Sequence, residues 1–490
     1  MKTPFWKAII LLAWIFWHHL HVGSAQEPQV VDSAEAKKGF QKAFGLECST
    51  PGNGIFRSGE KCVVEARIRP KKKAGRSLEY RWVLQDAWHQ AVGPASKTRR
   101  LVFKDPGPEG AEKQVESRIR YELPVKQPGF YNLRFEVVWQ VGNGNQWVPV
   151  QSVRVGYQPT EILSPLTAEK DFDRFWRESM AELAKIEPDY RVRLVKEKSD
   201  EQYRLYEVEM KSLGGVRVGG WLELPVSQQP LPCLMRVPGY TQSMKPIGRD
   251  RLNGIAVFSF NIRGHGNSQK DVSGKPEDYW IRGLDNRQDY FYRGAYLDCV
   301  RAVDFLRSRK EIDPRRLAVR GGSQGGGLAL VTAALCEDLV LCVSDITFLV
   351  DWQNYFRITD WPEVNRWIAA RKERTRELML RTMSYFDLMN FARRIRCETV
   401  MGVGLQDPIC PPTTLFATYN RITAKKSFRV YPKAGHWVPG EHHSHVWSLI
   451  LNRLSNRPGD PSTKNGKGDP QESAKGKSKE PPSRLAPGTR

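Results

Sequence analysis

Residues 316–336 carry the feature that most restricts the fold. A short apolar strand candidate at 317–319 runs into Gly321-Gly322-Ser323-Gln324-Gly325, and a helix candidate follows at 326–336. A serine flanked by glycines at a strand-to-helix junction is the pattern of a nucleophile elbow, in which the hydroxyl stands exposed on a tight turn that only small neighbours permit. A loop that needs glycine for its turn gives the same short pattern, so the surroundings decide. Upstream, Phe172, Phe175, Trp176, Leu183 and Ile186 fall at helical spacing. Strand candidates follow at 203–210, 216–224, 231–237 and 255–261. A helix at 296–306, with Tyr296, Val300, Val303 and Leu306 on one face, then alternates with short apolar strands at 340–343, 399–403 and 428–431. Strands apolar on both faces and interleaved with helices predict an α/β domain over 160–454 with a mostly parallel central sheet. In such sheets the active groups gather at the carboxyl ends of the strands.

Ser323, Asp407 and His436 each come a few residues after one of these strands. A serine hydroxyl is a weak nucleophile; it needs a base to take its proton and a third group to hold that base. The order serine, acid, histidine is that of a hydrolase built on such a sheet. Asp407 lies in a turn-forming Gln406-Asp407-Pro408 stretch, and His436 in Gly435-His436-Trp437 after the final strand. These three are the predicted catalytic residues. His442, His443 and His445 follow closely, but no carboxylate or cysteine pattern completes a metal site, and 442–445 read as the exposed start of the last helix. No metal is expected. An aromatic-rich insertion at 348–396, with Phe348, Trp352, Tyr355, Phe356, Trp361, Trp367 and Tyr385, reads either as a pocket wall or as ordinary helix packing.

The rest of the chain reads in separate pieces. Lys2 and Lys7, an apolar run from Ala8 to Trp17 and small residues at 23–25 predict a secretory signal peptide over 1–25, cleaved before Gln26. The apolar run is short for a membrane span, and no later stretch approaches that length, so no transmembrane span is expected after cleavage. A secreted or periplasmic location follows. Residues 26–40 read as a linker. Over 41–158 alternating stretches such as 130–139, separated by Gly-, Pro- and Asn-rich turns, predict a small all-β sandwich, an accessory or structural module with no motif of chemistry. Export permits disulfides; Cys48 and Cys62 flank a Gly/Pro/Ser-rich loop whose closure would stabilise by roughly 3 kcal/mol. The other six cysteines sit mostly in apolar runs and read as buried thiols. The net charge is +22, with a cluster at Lys71-Lys72-Lys73 and a basic tail over 455–490 whose composition predicts disorder. Export argues against a nucleic-acid partner. The charge reads as solvated faces or as attraction to an anionic polysaccharide or envelope surface.

Several stretches together carry a resemblance. Asp171-Phe172-Asp173-Arg174-Phe175-Trp176, Arg263-Gly264-His265-Gly266, Tyr292-Arg293-Gly294-Ala295-Tyr296, Gly321-Gly322-Ser323-Gln324-Gly325-Gly326 and Asp407-Pro408-Ile409-Cys410-Pro411-Pro412 resemble the acetyl xylan esterase/cephalosporin C deacetylase family of carbohydrate esterases. The resemblance implies an α/β-hydrolase fold, Ser323, Asp407 and His436 as the triad, and deacetylation of acetylated saccharides without a cofactor. It implies an oxyanion hole from the backbone amides of Gln324 and Tyr240, the latter in a Pro238-Gly239-Tyr240 turn where the family has histidine first. Proline removes the amide at 238 and leaves that at 240. His265 and Trp437 are further departures, and the sandwich lies outside the family pattern. Relatives assemble into rings, so a homo-oligomer stays open, although the added domain could obstruct that assembly. Arg263 and Arg293 read as members of buried ion pairs rather than substrate clamps. A prolyl-oligopeptidase-like peptidase would share the triad but usually carries a β-propeller, which about 115 residues cannot build. A non-catalytic binding protein on the same scaffold is the other rival.

Overall fold

The structure, a computed structural model, describes residues 28–71, 77–103 and 116–455. The signal peptide, most of the lysine cluster at 71–73 and the tail from 456 onward lie outside the described residues. The alternating stretch read at 130–139 lies in the longest hairpin of the N-terminal region. Strands there are β1 (Phe44–Ser49), β2 (Ile55–Phe56), β3 (Val63–Pro70), β4 (Ser77–Asp86), β5 (Arg99–Val102), β6 (Ser117–Glu122), β7 (Gly129–Val141) and β8 (Gly144–Tyr157). They form two sheets, ordered β1-β3-β6 and β2-β8-β7-β4-β5. Tyr80, Trp82 and Leu84 stand opposite Val137, Phe135 and Leu133 across the β4–β7 ladder, and all six are buried. Alternate residues therefore face the second sheet, where Val64, Ala66 and Ile68 of β3 complete the core.

Two readings change here. The linker expected over 26–40 is helical from residue 34: Ala34–Ala43 is helix α1, capped by the Ser33 hydroxyl, which accepts from the Ala36 amide at 3.2 Å. Its Phe40 stacks on Phe44 at 5.3 Å and meets Trp139 edge-on at 5.6 Å, so the helix closes one end of the sandwich. Cys48 and Cys62 are free thiols. Cys48 pairs with Ala66 across the β1–β3 ladder, and Cys62 lies four positions before Ala66, just ahead of β3. That offset is roughly 13 Å at strand rise, beyond the reach of a disulfide.

The second region is built on a nine-stranded sheet. Its elements are helix α2 (Phe172–Ala184), strands β9 (Arg191–Leu194), β10 (Tyr203–Lys211), β11 (Arg217–Pro225), β12 (Leu231–Arg236) and β13 (Ala256–Asn261), helix α3 (Phe291–Ser308), strand β14 (Ile312–Gly322), helix α4 (Gln324–Leu335), strand β15 (Leu339–Asp345), the insertion helices α5 (Trp352–Ile358), α6 (Pro362–Ala369), α7 (Arg376–Ser384) and α8 (Leu388–Phe391), strand β16 (Glu398–Gly404), helix α9 (Pro412–Tyr419), strand β17 (Lys426–Tyr431) and helix α10 (Gly440–Ser455). The order is β17-β16-β15-β14-β12-β13-β11-β10-β9. Strands β12 to β17 pair in parallel and β9 to β11 add antiparallel partners at one edge. This is the α/β-hydrolase arrangement with a β-rich N-terminal region, as the sequence predicts. No helix among the described residues is long and apolar enough to cross a membrane.

Helix α9 ends on a built cap. The Lys426 ammonium donates to the carbonyls of Tyr419, Asn420 and Ile422 at 2.8, 3.1 and 2.7 Å, satisfying orphan carbonyls and the negative end of the helix together. Lys426→Met is expected to lower stability by about 2 kcal/mol, from the loss of charged hydrogen bonds, read as a shift of the urea midpoint at unchanged slope.

Candidate active site

The loops after β14, β16 and β17 bring Ser323, Asp407 and His436 together. Ser323 sits between β14 and α4 at φ +57°, ψ −122°, a conformation that side-chain-bearing residues rarely adopt and that costs roughly 1–3 kcal/mol. The ends of neighbouring strands hold it there. Its amide donates to the Asp345 carbonyl at 2.9 Å, and its carbonyl accepts from the Gly327 and Phe348 amides, each at 3.1 Å. The flanking glycines answer to space. A Cβ on Gly321 would lie 2.2 Å from the Gly325 carbonyl oxygen, and one on Gly325 would lie 2.7 Å from that of Val237.

A continuous hydrogen-bonded chain runs through the three side chains. His436 Nε2 is 3.0 Å from Ser323 Oγ, and His436 Nδ1 is 2.8 Å from Asp407 Oδ2. A carboxylate can only accept, so Nδ1 carries the proton and Nε2 is free to accept from the hydroxyl. Asp407 is 1% exposed. Its Oδ1 accepts from the amides of Ile409 and Cys410 at 2.8 and 2.9 Å, which fixes the carboxylate plane and leaves Oδ2 for the imidazole.

The acid loop is gripped from the N-terminal region, a connection the sequence did not announce. Arg154 of β8 donates through Nη1 to the carbonyls of Asp407 and Leu405 at 2.7 and 3.3 Å, and its amide donates to the Gln406 side chain at 2.7 Å. Gln406 donates back to the Arg154 and Pro432 carbonyls at 3.1 and 2.8 Å. Asn132 of β7 accepts from Arg154 Nε at 3.0 Å, and Phe130 packs on Phe416 of α9 at 5.4 Å. Burial pushes the Arg154 guanidinium down to about 10, with Asp407 opposing the shift, so it stays charged at neutral pH. The sandwich thus forms the back wall of the acid loop. Arg154→Met leaves buried carbonyls unpaired and frees the loop. A fall in kcat of about 10- to 100-fold is expected from the misplaced carboxylate, with KM for a small acetyl ester little changed, checked by steady-state kinetics.

Gln324 opens α4, so its amide has no partner within the helix. Its side chain is fixed from three sides. Tyr292 donates to Oε1 at 2.7 Å, and Nε2 lies 3.3 Å from His265 Nε2 and 3.4 Å from the Pro238 and Gly239 carbonyls. His265 Nδ1 is 3.1 Å from the Arg263 carbonyl, which can only accept, so the proton sits on Nδ1 and Nε2 accepts from Gln324. Burial lowers the His265 pKa and keeps the ring neutral. His265 therefore braces the elbow through Gln324. Tyr240 follows on the Pro238–Gly239 turn and borders the same cavity as Ser323.

That cavity, of about 670 Å³, is lined by Ser323 together with Tyr240, Phe348, Trp361, His436 and Trp437 among others. The insertion is both pocket wall and core: Phe348 and Trp361 face the cavity, while Trp352 and Phe356 stack on Trp280 at 6.4 and 6.1 Å. Arg263 makes a two-pronged pair with the fully buried Asp298 at 2.8 and 2.9 Å, and Arg293 pairs with Glu182 and donates to Ser179. Neither lines the cavity. One histidine departs from the sequence reading. His442, expected on an exposed helix start, is fully buried; its Nε2 is 2.7 Å from Asp345 Oδ1 and its Nδ1 is 3.0 Å from the Tyr431 hydroxyl. Burial alone would raise the Asp345 pKa, but the His442 and Arg320 contacts hold it below the ordinary carboxylate range.

The sequence profile of the family described as Acetyl xylan esterase (AXE1) matches residues 160–450. Acetyl esterase Axe7A of Xylanibacter ruminicola is 31% identical over 332 residues, which are 65% of this chain and 73% of that protein. The solved acetyl xylan esterase from Paenibacillus sp. R4 is 32% identical with a TM-score of 0.55, covering 60% of this chain and 98% of its own. Acetyl xylan esterase 1 from Thermoanaerobacterium sp. JW/SL YS485 is 27% identical with a TM-score of 0.56 and the same coverage.

Proposed function

Because this chain belongs to the acetyl xylan esterase family, we propose that it removes acetyl groups from acetylated carbohydrates, acetylated xylan and xylo-oligosaccharides among them, by a two-step acyl transfer. The observation that carries the reading is the unbroken Asp407–His436–Ser323 hydrogen-bond chain at the strand ends. Ser323 Oγ attacks the acetyl carbonyl carbon while His436 Nε2 takes the hydroxyl proton. The sugar alcohol leaves with that proton as the tetrahedral intermediate collapses to an acetyl-serine. Water then attacks, giving its proton to His436, and acetate departs with the hydroxyl restored on Ser323. Asp407 holds the imidazole tautomer and stabilises the imidazolium. The amides of Gln324 and Tyr240 receive the developing oxyanion, where each such donor is worth about 10²–10³ in rate. No cofactor enters any step. The basic start and apolar run at the N-terminus support release outside the cytoplasm.

Acetate release from acetylated xylo-oligosaccharides by the wild type, and its loss in Ser323→Ala, tests the reading. Release that survives in Ser323→Ala, or cleavage of a proline-containing chromogenic peptide with no acetate release, would contradict it.

A further inference from the structure

The cavity does not end at the serine. Its lining also includes Arg236, Met244, Arg320, His443 and Trp447. Arg236 closes β12 and Arg320 lies on β14, three residues before Ser323; the two are direct partners across the parallel ladder. Like charges set opposite each other on adjacent strands repel, and here both guanidinium groups are partly withdrawn from water. The carboxylates nearby offset the pair only in part, since each is committed elsewhere as well. Asp345 is shared between His442 and Arg320, the latter at 3.3 Å. Glu223 is fully buried and accepts from the Tyr203 hydroxyl and the Ile247 and Gly248 amides. Arg236 is held through Nη1 by neutral acceptors, Ser259 Oγ at 3.0 Å and the Lys245 carbonyl at 3.4 Å, and among the described residues it makes no ion pair. Arg320 Nη2 also meets His443 Nδ1 at 2.7 Å. Burial lowers the Arg236 pKa, the Arg320 charge lowers it further, and the buried Glu223 opposes the shift. Trp437 and Trp447 flank the same space. Their broad faces suit sugar rings.

We propose that the Arg236–Arg320 pair is an anion subsite, which holds a carboxylate or sulfate substituent of the saccharide while the acetyl ester reaches Ser323. This rests on the esterase reading and narrows its substrate to acetylated saccharides that carry an acidic group. Two guanidinium groups side by side present paired donors to such an oxyanion. Arg320 is on the strand that leads into the nucleophile and Arg236 on the strand beside it, so a bound anion fixes the distance from acidic substituent to scissile ester.

The test compares acetylated glucuronic-acid-bearing xylo-oligosaccharides with the same material after reduction of the carboxyl group. A parallel arm compares a sulfated, acetylated oligosaccharide with its desulfated form. Wild-type kcat/KM is expected to be at least about tenfold higher on the acidic member of one arm, and that arm identifies the anion. The advantage should shrink as salt rises and be lost in Arg236→Gln. Binding of the same deacetylated oligosaccharides to Ser323→Ala protein, measured by calorimetry, reports on the subsite without turnover. Tighter binding of the acidic form there, with no acetate released by the wild type, would uphold the subsite and overturn the esterase reading. Equal kcat/KM and equal binding for charged and neutral members of both arms would overturn the subsite.

Discussion

Ser323→Ala should lower kcat on 4-nitrophenyl acetate by about 10⁶-fold, His436→Ala by a similar factor, and the double variant by no more than either alone. The non-additivity follows from the geometry. His436 Nε2 has the Ser323 hydroxyl as its partner at 3.0 Å, so removing either group removes the same proton transfer. What remains is the cavity and the amides of Gln324 and Tyr240 proposed for the oxyanion, which act on a water instead. The alanine at 323 inherits the positive φ of +57°, so the variant should be compared with wild type by thermal unfolding before its rate is interpreted. A double variant whose losses multiply would show that the two side chains act in separate steps.

Asp407→Asn should lower kcat by about 10⁴-fold while the protein stays folded. Oδ1 accepts from two amides, Ile409 and Cys410. An asparagine must keep its carbonyl oxygen there, which turns its NH₂ toward His436. The imidazole Nδ1 then has to accept, the ring proton moves to Nε2, and Nε2 can no longer take the proton of Ser323. The loss is therefore one of tautomer rather than of position. The measurement is kcat across pH beside an unfolding curve. A rate within tenfold of wild type at neutral pH would mean that the Asp407 carboxylate does not set the ring.

These effects concern residues that were visible in the sequence, and the reason is local. Ser323, Asp407 and His436 each follow a short apolar run, and strand ends in a parallel sheet converge on one rim. The partners that hold them were not visible, because they come from far along the chain. Arg154 sits in an alternating strand that looks like any sandwich edge, and only the packing of β8 against the loop after β16 gives it a role. His442 was hidden differently. A run of histidines reads as polar surface, yet His442, Val446, Ile450 and Leu454 recur every four residues and form the buried stripe of α10. That spacing was present to be read. The same holds for α1, where Ser33, Ala36 and Phe40 mark a cap and a short apolar face in a stretch otherwise rich in lysine and polar residues. Arg236 and Arg320 lie 84 positions apart, and only the β12–β14 register makes them neighbours.

The most direct test of the central claim is to stop turnover of 4-nitrophenyl acetate with acid and map the protein by peptide mass. An acetyl group on Ser323, absent from Ser323→Ala, is the predicted result. Rapid turnover with Ser323 never acetylated, or with the acetyl group carried by another side chain, would contradict the account.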